Sequence, residues 1–385
     1  MGSGTTVEYG ADALDAIASH VRAVGARNVL LVTGRGSFEA SGASRIVESL
    51  SAVANVERWS DFAPNTDAAD LWTGLRHTAD MNTDVVVGIG GGSVMDMAKL
   101  LTAFPGCRSE GELHQAIRNS GSIAERSPGL VLAPTTSGSG SEATHFAVVY
   151  IGADKFSIAG PALRADVVAL DPSLAVSGSA HQRATSGIDA LCQAIESRWA
   201  VGATDRSRRY AEFALHFLLN SLEDFVKTPT LETSRAVQLG SHLAGRAIDV
   251  SKTTAAHALS YGITKRYSID HGNAAALTLG HFIEAHASAS AQLQPTVAPD
   301  DHASAMSCIL SALHATDGPS GRRRFVDLLG RLGLEHTLAD IAANEHEVTD
   351  LAAGVNLERL GNNPVQFDES GLSDVLSNAY RLPNA

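Results

Sequence analysis

Runs of nearly uninterrupted aliphatic residues in the first half of the chain include Asn28–Thr33 (NVLLVT), Asp84–Ile89 (DVVVGI) and Gly129–Ala133 (GLVLA). None of these three shows the apolar–polar alternation of a strand with one wet face. A strand that is apolar on both faces must be covered on both, which calls for helices on either side of a parallel α/β sheet. Each run stops at residues that turn the chain. Gly34-Arg-Gly36 follows the first, Gly90-Gly-Gly-Ser93 the second and Pro134-Thr-Thr136 the third. A helix is expected over Val94–Leu101. Beyond about Ser179 the strand signal is gone. Ala- and Leu-rich helical periodicity, as in Tyr210–Leu219, continues almost to the end, with a loop expected from Ala287 to about Asp301. A boundary near Ser177–Ser179 therefore divides the 385 residues into an α/β domain, 1–178, and an all-helical domain, 179–385.

The net charge of −13 argues against a nucleic-acid partner, which needs a basic face, but leaves room for a small anion at a local positive site. No uncharged apolar run reaches the length of a membrane span, and the opening Met-Gly-Ser-Gly-Thr-Thr-Val has no secretory pattern. Cys107, Cys192 and Cys308 are an odd number without C-x-x-C spacing, so a reduced, cytoplasmic protein is expected.

The chemistry-bearing residues of the second half lie in three segments. Asp189 and Gln193, four residues apart within Thr185–Glu196, share one helix face. His257 sits in the Ala-rich run Thr254–Ser260, and His271 in Asp270-His-Gly272, where glycine is expected to let the backbone turn. One carboxylate and two imidazoles can hold a divalent ion with an open position, and both Fe2+ and Zn2+ accept such ligands. In the first half, Gly90-Gly-Gly-Ser93 puts free amides at a helix start, where a pyrophosphate can bind. Alone it is equally a structural turn, and it is not G-x-G-x-x-G. The second small, hydroxyl-rich loop, Thr135–Ser141, tips the balance towards a nucleotide site. With loops in one half and ligands in the other, an active site in the cleft between them is the expected geometry.

Taken together, these residues resemble the iron-containing, or group III, alcohol dehydrogenases. Gly90–Lys99 resembles that family's cofactor loop and Pro134–Thr144 its second loop. Asp166–Pro172 and Gly187–Leu191 follow its domain junction, and His257 and His271 its metal histidines. The resemblance implies a dehydroquinate synthase-like architecture, with a dinucleotide-binding α/β domain and an all-α metal-binding domain. It implies cofactor contacts at Gly91, Gly92, Ser93, Asp96, Thr135, Thr136 and Ser139. Lys155 would lie near the nicotinamide ribose, its plain alternative being a surface lysine. Asp189, Gln193, His257 and His271 would hold the ion, and the two histidines would make it catalytic. Two departures stand out. Gln193 replaces a histidine, leaving three options: an amide-oxygen ligand, a three-ligand site, or a lost metal. Tyr261 replaces another histidine, so any proton relay there differs. His145 either faces the cleft or is structural.

Many NAD-using relatives carry an aspartate after the first strand. Here Gly34 removes that carboxylate, and Arg35 and Ser37 are placed to contact a 2′-phosphate, so NADPH is expected, with NADH the alternative. Val32–Ala43 and Ala244–Tyr261 resemble the phosphonoacetaldehyde reductase branch, which implies reduction of that aldehyde to 2-hydroxyethylphosphonate in phosphonate biosynthesis. Lys252, just before the His257 segment, would meet such a small anionic substrate near the open metal position; otherwise it ends a helix or pairs with Asp249. The competing functions are a dehydroquinate synthase-like lyase, another small-polyol or aldehyde dehydrogenase, and a metal-free binding protein descended from the enzyme. A homodimer is the expected working form.

Overall fold

The structure is a computed structural model that describes residues 4–152, 154–288, 292–341, 344–355 and 360–380. The chain separates into two compact units: Met1–Gly178 with Thr230–Gln238, and Ser179–Pro229 with Leu239–Ala385.

Among the described residues, the first unit carries eight strands: β1 (Thr6–Tyr9), β2 (Asn28–Thr33), β3 (Asn55–Trp59), β4 (Val85–Gly90), β5 (Gly129–Pro134), β6 (Phe146–Ile151), β7 (Asp154–Ala159) and β8 (Val167–Leu170). Six form a parallel sheet in the order β1-β8-β5-β4-β2-β3. Its helices are α1 (Asp15–Ala23), α2 (Ser37–Ala40), α3 (Ile46–Ser51), α4 (Ala68–His77), α5 (Gly92–Ala103) and α6 (Glu110–Arg118). Alternate strand residues feed two separate cores. Leu30, Val32, Val86, Leu130 and Leu132 pack with Leu71 of α4, Met97 of α5 and Leu113 of α6. Val29, Leu31, Val85, Val87 and Val131 pack with Ile17 of α1 and Leu50 of α3. Covering on both faces is what the uninterrupted aliphatic runs demand.

Differences from the sequence reading have local causes. Helix α5 starts at Gly92, two residues before Val94, because glycine and serine of its first turn carry no apolar signal. The edge strands β1 and β3 are largely exposed and have no aliphatic run. Strands β6 and β7 form a separate antiparallel hairpin that contributes Ala147, Val149 and Ile158 to the core.

The second unit is helical: α7 (Ala180–Trp199), α8 (Asp205–Lys227), α9 (Leu231–Ser251), α10 (Ala255–Tyr267), α11 (His271–His286), α12 (Pro299–Ala312), α13 (Gly318–Arg331), α14 (Glu345–Ala353) and α15 (Glu369–Tyr380). Ser179 caps α7 by accepting from the Gln182 amide, a contact worth about 1 kcal/mol. The start of α9 groups with the first unit. There Ser234 Oγ donates to the Pro172 carbonyl and Gln238 to that of Asp171, a return that helical periodicity does not reveal. Of the loop expected from Ala287, residues 289–291 lie outside the described residues, and α12 already begins at Pro299. No helix among the described residues is long and apolar enough to cross a membrane.

Candidate metal centre and cofactor loops

Helix α7 carries Asp189, Gln193 and Glu196 at i, i+4 and i+7, one face of the helix, and all three are buried. His257 comes from the first turn of α10, and His271 is the first residue of α11. Ligand atoms of Asp189, His257 and His271 lie within 4.8 Å of one another. The close approach depends on Gly272, although not through a turn: Gly272 lies inside the first turn of α11. A Cβ there would stand 2.1 Å from the Thr185 carbonyl oxygen and 2.7 Å from Asp189 Cβ, so a larger residue would push α11 off α7.

The imidazoles are oriented from behind. Glu196 is fully buried. Its Oε1 accepts from the Thr254 amide (3.0 Å), the Thr254 hydroxyl (2.9 Å) and the His257 amide (3.2 Å), while Oε2 takes His257 Nδ1. That commits Nδ1 as donor and turns Nε2 towards Asp189 Oδ1, 3.2 Å away. Ser260 Oγ donates to the His257 carbonyl (2.8 Å) and lies 3.3 Å from His271 Nδ1, so it accepts from that nitrogen. Tyr261 stacks on the His271 ring, centroids 5.3 Å apart. The Gln193 amide nitrogen donates to Asp189 Oδ2 (3.2 Å), so the amide serves as a brace on the carboxylate.

Two buried carboxylates beside two imidazoles create a demand for positive charge. Burial opposes ionisation of Asp189 and Glu196, yet the neighbouring histidines hold both carboxyls below their usual range. Burial would likewise depress His257, but Glu196 and Asp189 raise it to about 9. A neutral His257 would point a lone pair at Asp189 Oδ1, an arrangement that only a proton or a cation between them relieves. One divalent ion balances the two carboxylates, and the donor set suits Fe2+ or Zn2+. The residues present therefore fit a metal.

In the first unit, the C-terminal ends of β2, β4 and β5 are adjacent, with Thr33 beside Ile89 and Gly90 beside Pro134. Gly91 is the N-cap of α5, so the amides that follow it are open to a ligand. The Thr135 amide donates to the Gly90 carbonyl (2.9 Å), and Thr136 and Ser139 pack against Gly91 and Gly92. Ser93 accepts through Oγ from the Asn65 amide at 3.0 Å. These residues thus form one cradle.

Asp96, half-buried on α5, ties the second loop to that helix. Its carboxylate accepts from Ser141 Oγ (2.6 Å) and the Val148 amide (3.0 Å), fastening the second loop and β6 to α5. Burial raises its carboxyl, opposed by Lys99 and Lys155. Lys99 completes the clasp. It is fully buried and donates to the carbonyls of Thr144 (2.9 Å) and Phe146 (2.8 Å). Lys155, opposite Tyr150 in the hairpin, is half-buried and within electrostatic reach of Asp96. His145 borders a shallow cavity of about 460 Å³ in this unit, together with Ser157 and Arg164.

Arg35 is exposed and pairs with Asp61 (2.6 Å), also donating to the Ser60 carbonyl. Gly34 itself is closely set, since a Cβ would fall 2.2 Å from Ser37 Oγ. Lys252 follows α9 in the left-handed conformation (φ 60°), its amide donating to the Ile248 carbonyl, and its side chain is exposed; this is the geometry of a helix end. The turn around it is pinned by Asn362 Nδ2, which donates to the Ser251 and Thr253 carbonyls.

Residues 4–172 match the family profile described as iron-containing alcohol dehydrogenase, and residues 183–380 match that of the Fe-containing alcohol dehydrogenase family, C-terminal. The chain belongs to the iron-containing alcohol dehydrogenase family. Members of this family are oxidoreductases that bind NAD(P) and a divalent metal. Among its relatives is a phosphonoacetaldehyde reductase of Streptomyces viridochromogenes, 34% identical over 54% of this chain and 54% of that protein. The chain thus spans about half the length of that relative. A choline dehydrogenase of Bacillus subtilis is 31% identical over 73% of this chain and 71% of its own length, and long-chain-alcohol dehydrogenase 1 of Geobacillus thermodenitrificans is 30% identical over 69% and 68%. The solved structure of sulfoacetaldehyde reductase from Bifidobacterium kashiwanohense in complex with NAD+ superposes with a TM-score of 0.85, covering 97% of this chain and 96% of that one; at 24% identity what the two share is the fold.

Residue type alone does not mark Glu196 and Lys99 as functional supports, although both lie inside the motifs Thr185–Glu196 and Gly90–Lys99. The available signal was spacing: Glu196 is seven residues from Asp189, on the same face, in a stretch otherwise apolar enough to be core.

Proposed function

We propose that this iron-type dehydrogenase is a metal-dependent aldehyde reductase that uses NADPH and acts on phosphonoacetaldehyde, giving 2-hydroxyethylphosphonate. The observation that carries the reductase reading is the convergence of Asp189, His257 and His271 in front of the buried Glu196. We take the centre as three-ligand, with Gln193 bracing Asp189. Once bound, a divalent ion there supplies Lewis acidity at the carbonyl oxygen, and the nicotinamide supplies the hydride. The chain's own groups do the rest. Glu196 and Ser260 fix the two imidazoles so that their Nε2 atoms serve as ligands. Gly91, Gly92 and Ser93 would meet the pyrophosphate, Thr135, Thr136 and Ser139 the rest of the dinucleotide, and Lys155 the nicotinamide ribose. The proton that completes the alcohol comes from water or a nearby hydroxyl. Asp96 serves this site by holding its two loops together. The reading includes a cytoplasmic homodimer.

The substrate assignment draws on the Streptomyces relative and on Lys252, an exposed ammonium on a pinned turn five residues before His257. The choline and long-chain-alcohol dehydrogenases among the relatives favour a second reading, reduction of an uncharged or cationic aldehyde. Steady-state kinetics on phosphonoacetaldehyde and on butanal separate the two. Loss of a charge-assisted contact in Lys252→Ala should lower kcat/KM for the phosphonate about ten- to a hundredfold and leave butanal nearly unchanged. A wild type that reduces butanal as well as the phosphonate removes the substrate assignment and leaves the reductase standing. Dinucleotide that is not consumed stoichiometrically with aldehyde would instead point to lyase chemistry.

A further inference from the structure

The C-terminal end of β2 lies beside the end of β4, the strand that feeds the Gly90–Ser93 loop. In an open parallel sheet that neighbouring strand end is where the adenosine ribose is read. Gly34 occupies it and packs towards Val94 of α5, and the cation over it comes from the next strand. Arg58 of β3 donates through Nε to Thr33 Oγ1 (2.9 Å) and reaches the Gly34 carbonyl (3.5 Å). Its guanidinium lies over the Phe38 ring at 4.6 Å, and one edge pairs with the exposed Glu39 (3.2 Å). These contacts fix the guanidinium plane above the Gly34–Phe38 turn. The Arg58 side chain is 35% exposed, against 66% for Arg35, which faces Asp61.

We infer that Arg58 is the residue that reads the ribose 2′-phosphate of NADPH, and that the Glu39 carboxylate stands where this phosphate binds. The inference rests on the dinucleotide reading above. A planar guanidinium suits two oxygens of a phosphate dianion. The Arg58–Glu39 pair is a surface ion pair of small worth, so a dianion displaces the carboxylate readily. Gly34 keeps any carboxylate of its own away from the same place.

The test is direct binding to the full chain, followed by nicotinamide fluorescence for NADPH and NADH and by calorimetry for adenosine 2′,5′-bisphosphate and AMP. Arg58→Gln should weaken NADPH and the bisphosphate about ten- to a hundredfold and change NADH and AMP less than about threefold. Glu39→Gln, a surface change that spares folding, should tighten NADPH and leave NADH in place. Equal losses for both dinucleotides in Arg58→Gln, together with no gain in Glu39→Gln, overturn the inference. So does an NADPH preference that disappears with Arg35→Ala. A wild type that binds NADH and NADPH alike removes the inference and leaves the dehydrogenase reading intact; one that binds neither removes both.

Discussion

In the sheet unit, the two loops present backbone amides and small hydroxyls, and the half-buried Asp96 and the buried Lys99 sit behind them, tying loop to helix. The helical unit reverses this arrangement. There the charged groups Asp189, His257 and His271 themselves converge, with Glu196 behind them. Backbone amides hold a phosphate through geometry that a strand end and a helix start already provide. A metal centre must bring titratable groups into the core, where each needs a partner to offset its desolvation. A lost supporting contact should therefore cost more in the helical unit than an altered loop costs in the sheet unit.

That contrast can be broken at three places, in descending order of expected effect. Glu196→Gln keeps size and burial but exchanges the carboxylate behind His257 for an amide. Metal retention, measured by elemental analysis after dialysis against a weak chelator, should fall about a hundredfold, with dinucleotide binding unchanged. Retention at the wild-type level would mean that Glu196 only fills space. Gly34→Asp puts a carboxylate beside Arg58 and the 2′-phosphate; after Ser37 Oγ rotates aside, NADPH efficiency should drop about ten- to a hundredfold, with NADH changed far less. Equal losses would make Gly34 a backbone requirement only. Gln193 should matter least. In a three-ligand centre Gln193→Ala loosens metal binding by less than about tenfold, and Gln193→His tightens it. A loss as large as that of Glu196→Gln would make the amide oxygen a ligand.

How much was legible follows the same division. β2 is visible as NVLLVT because both its faces are buried, and β1 and β3 are invisible because edge strands need no such run. In the hairpin, β7 (DKFSIA) breaks its apolar residues with polar ones, while β6 (FAVVYI) is apolar throughout but only partly buried. Asp189, His257 and His271 could be picked out as residue types, and the structure brings their ligand atoms together. Of the supports, Glu196 offers only its seven-residue spacing from Asp189 as a signal and Arg58 offers none, because Glu196–His257 and Arg58–Thr33 are contacts between distant segments. Arg35 stands in the same loop as Gly34, and its exposed ion pair with Asp61, twenty-six residues on, is likewise invisible in the local sequence. By sequence Gly272 suggests a turn, whereas its role, close approach of two helices, exists only in three dimensions.

The most direct test of the metal-centred account combines elemental analysis, dinucleotide binding and turnover on freshly purified wild type and His257→Ala. About one divalent ion per chain is expected in the wild type. In His257→Ala the ion and aldehyde turnover should both be lost, with NADPH bound as tightly as before. Full turnover by wild-type protein rigorously stripped of metal would contradict the account.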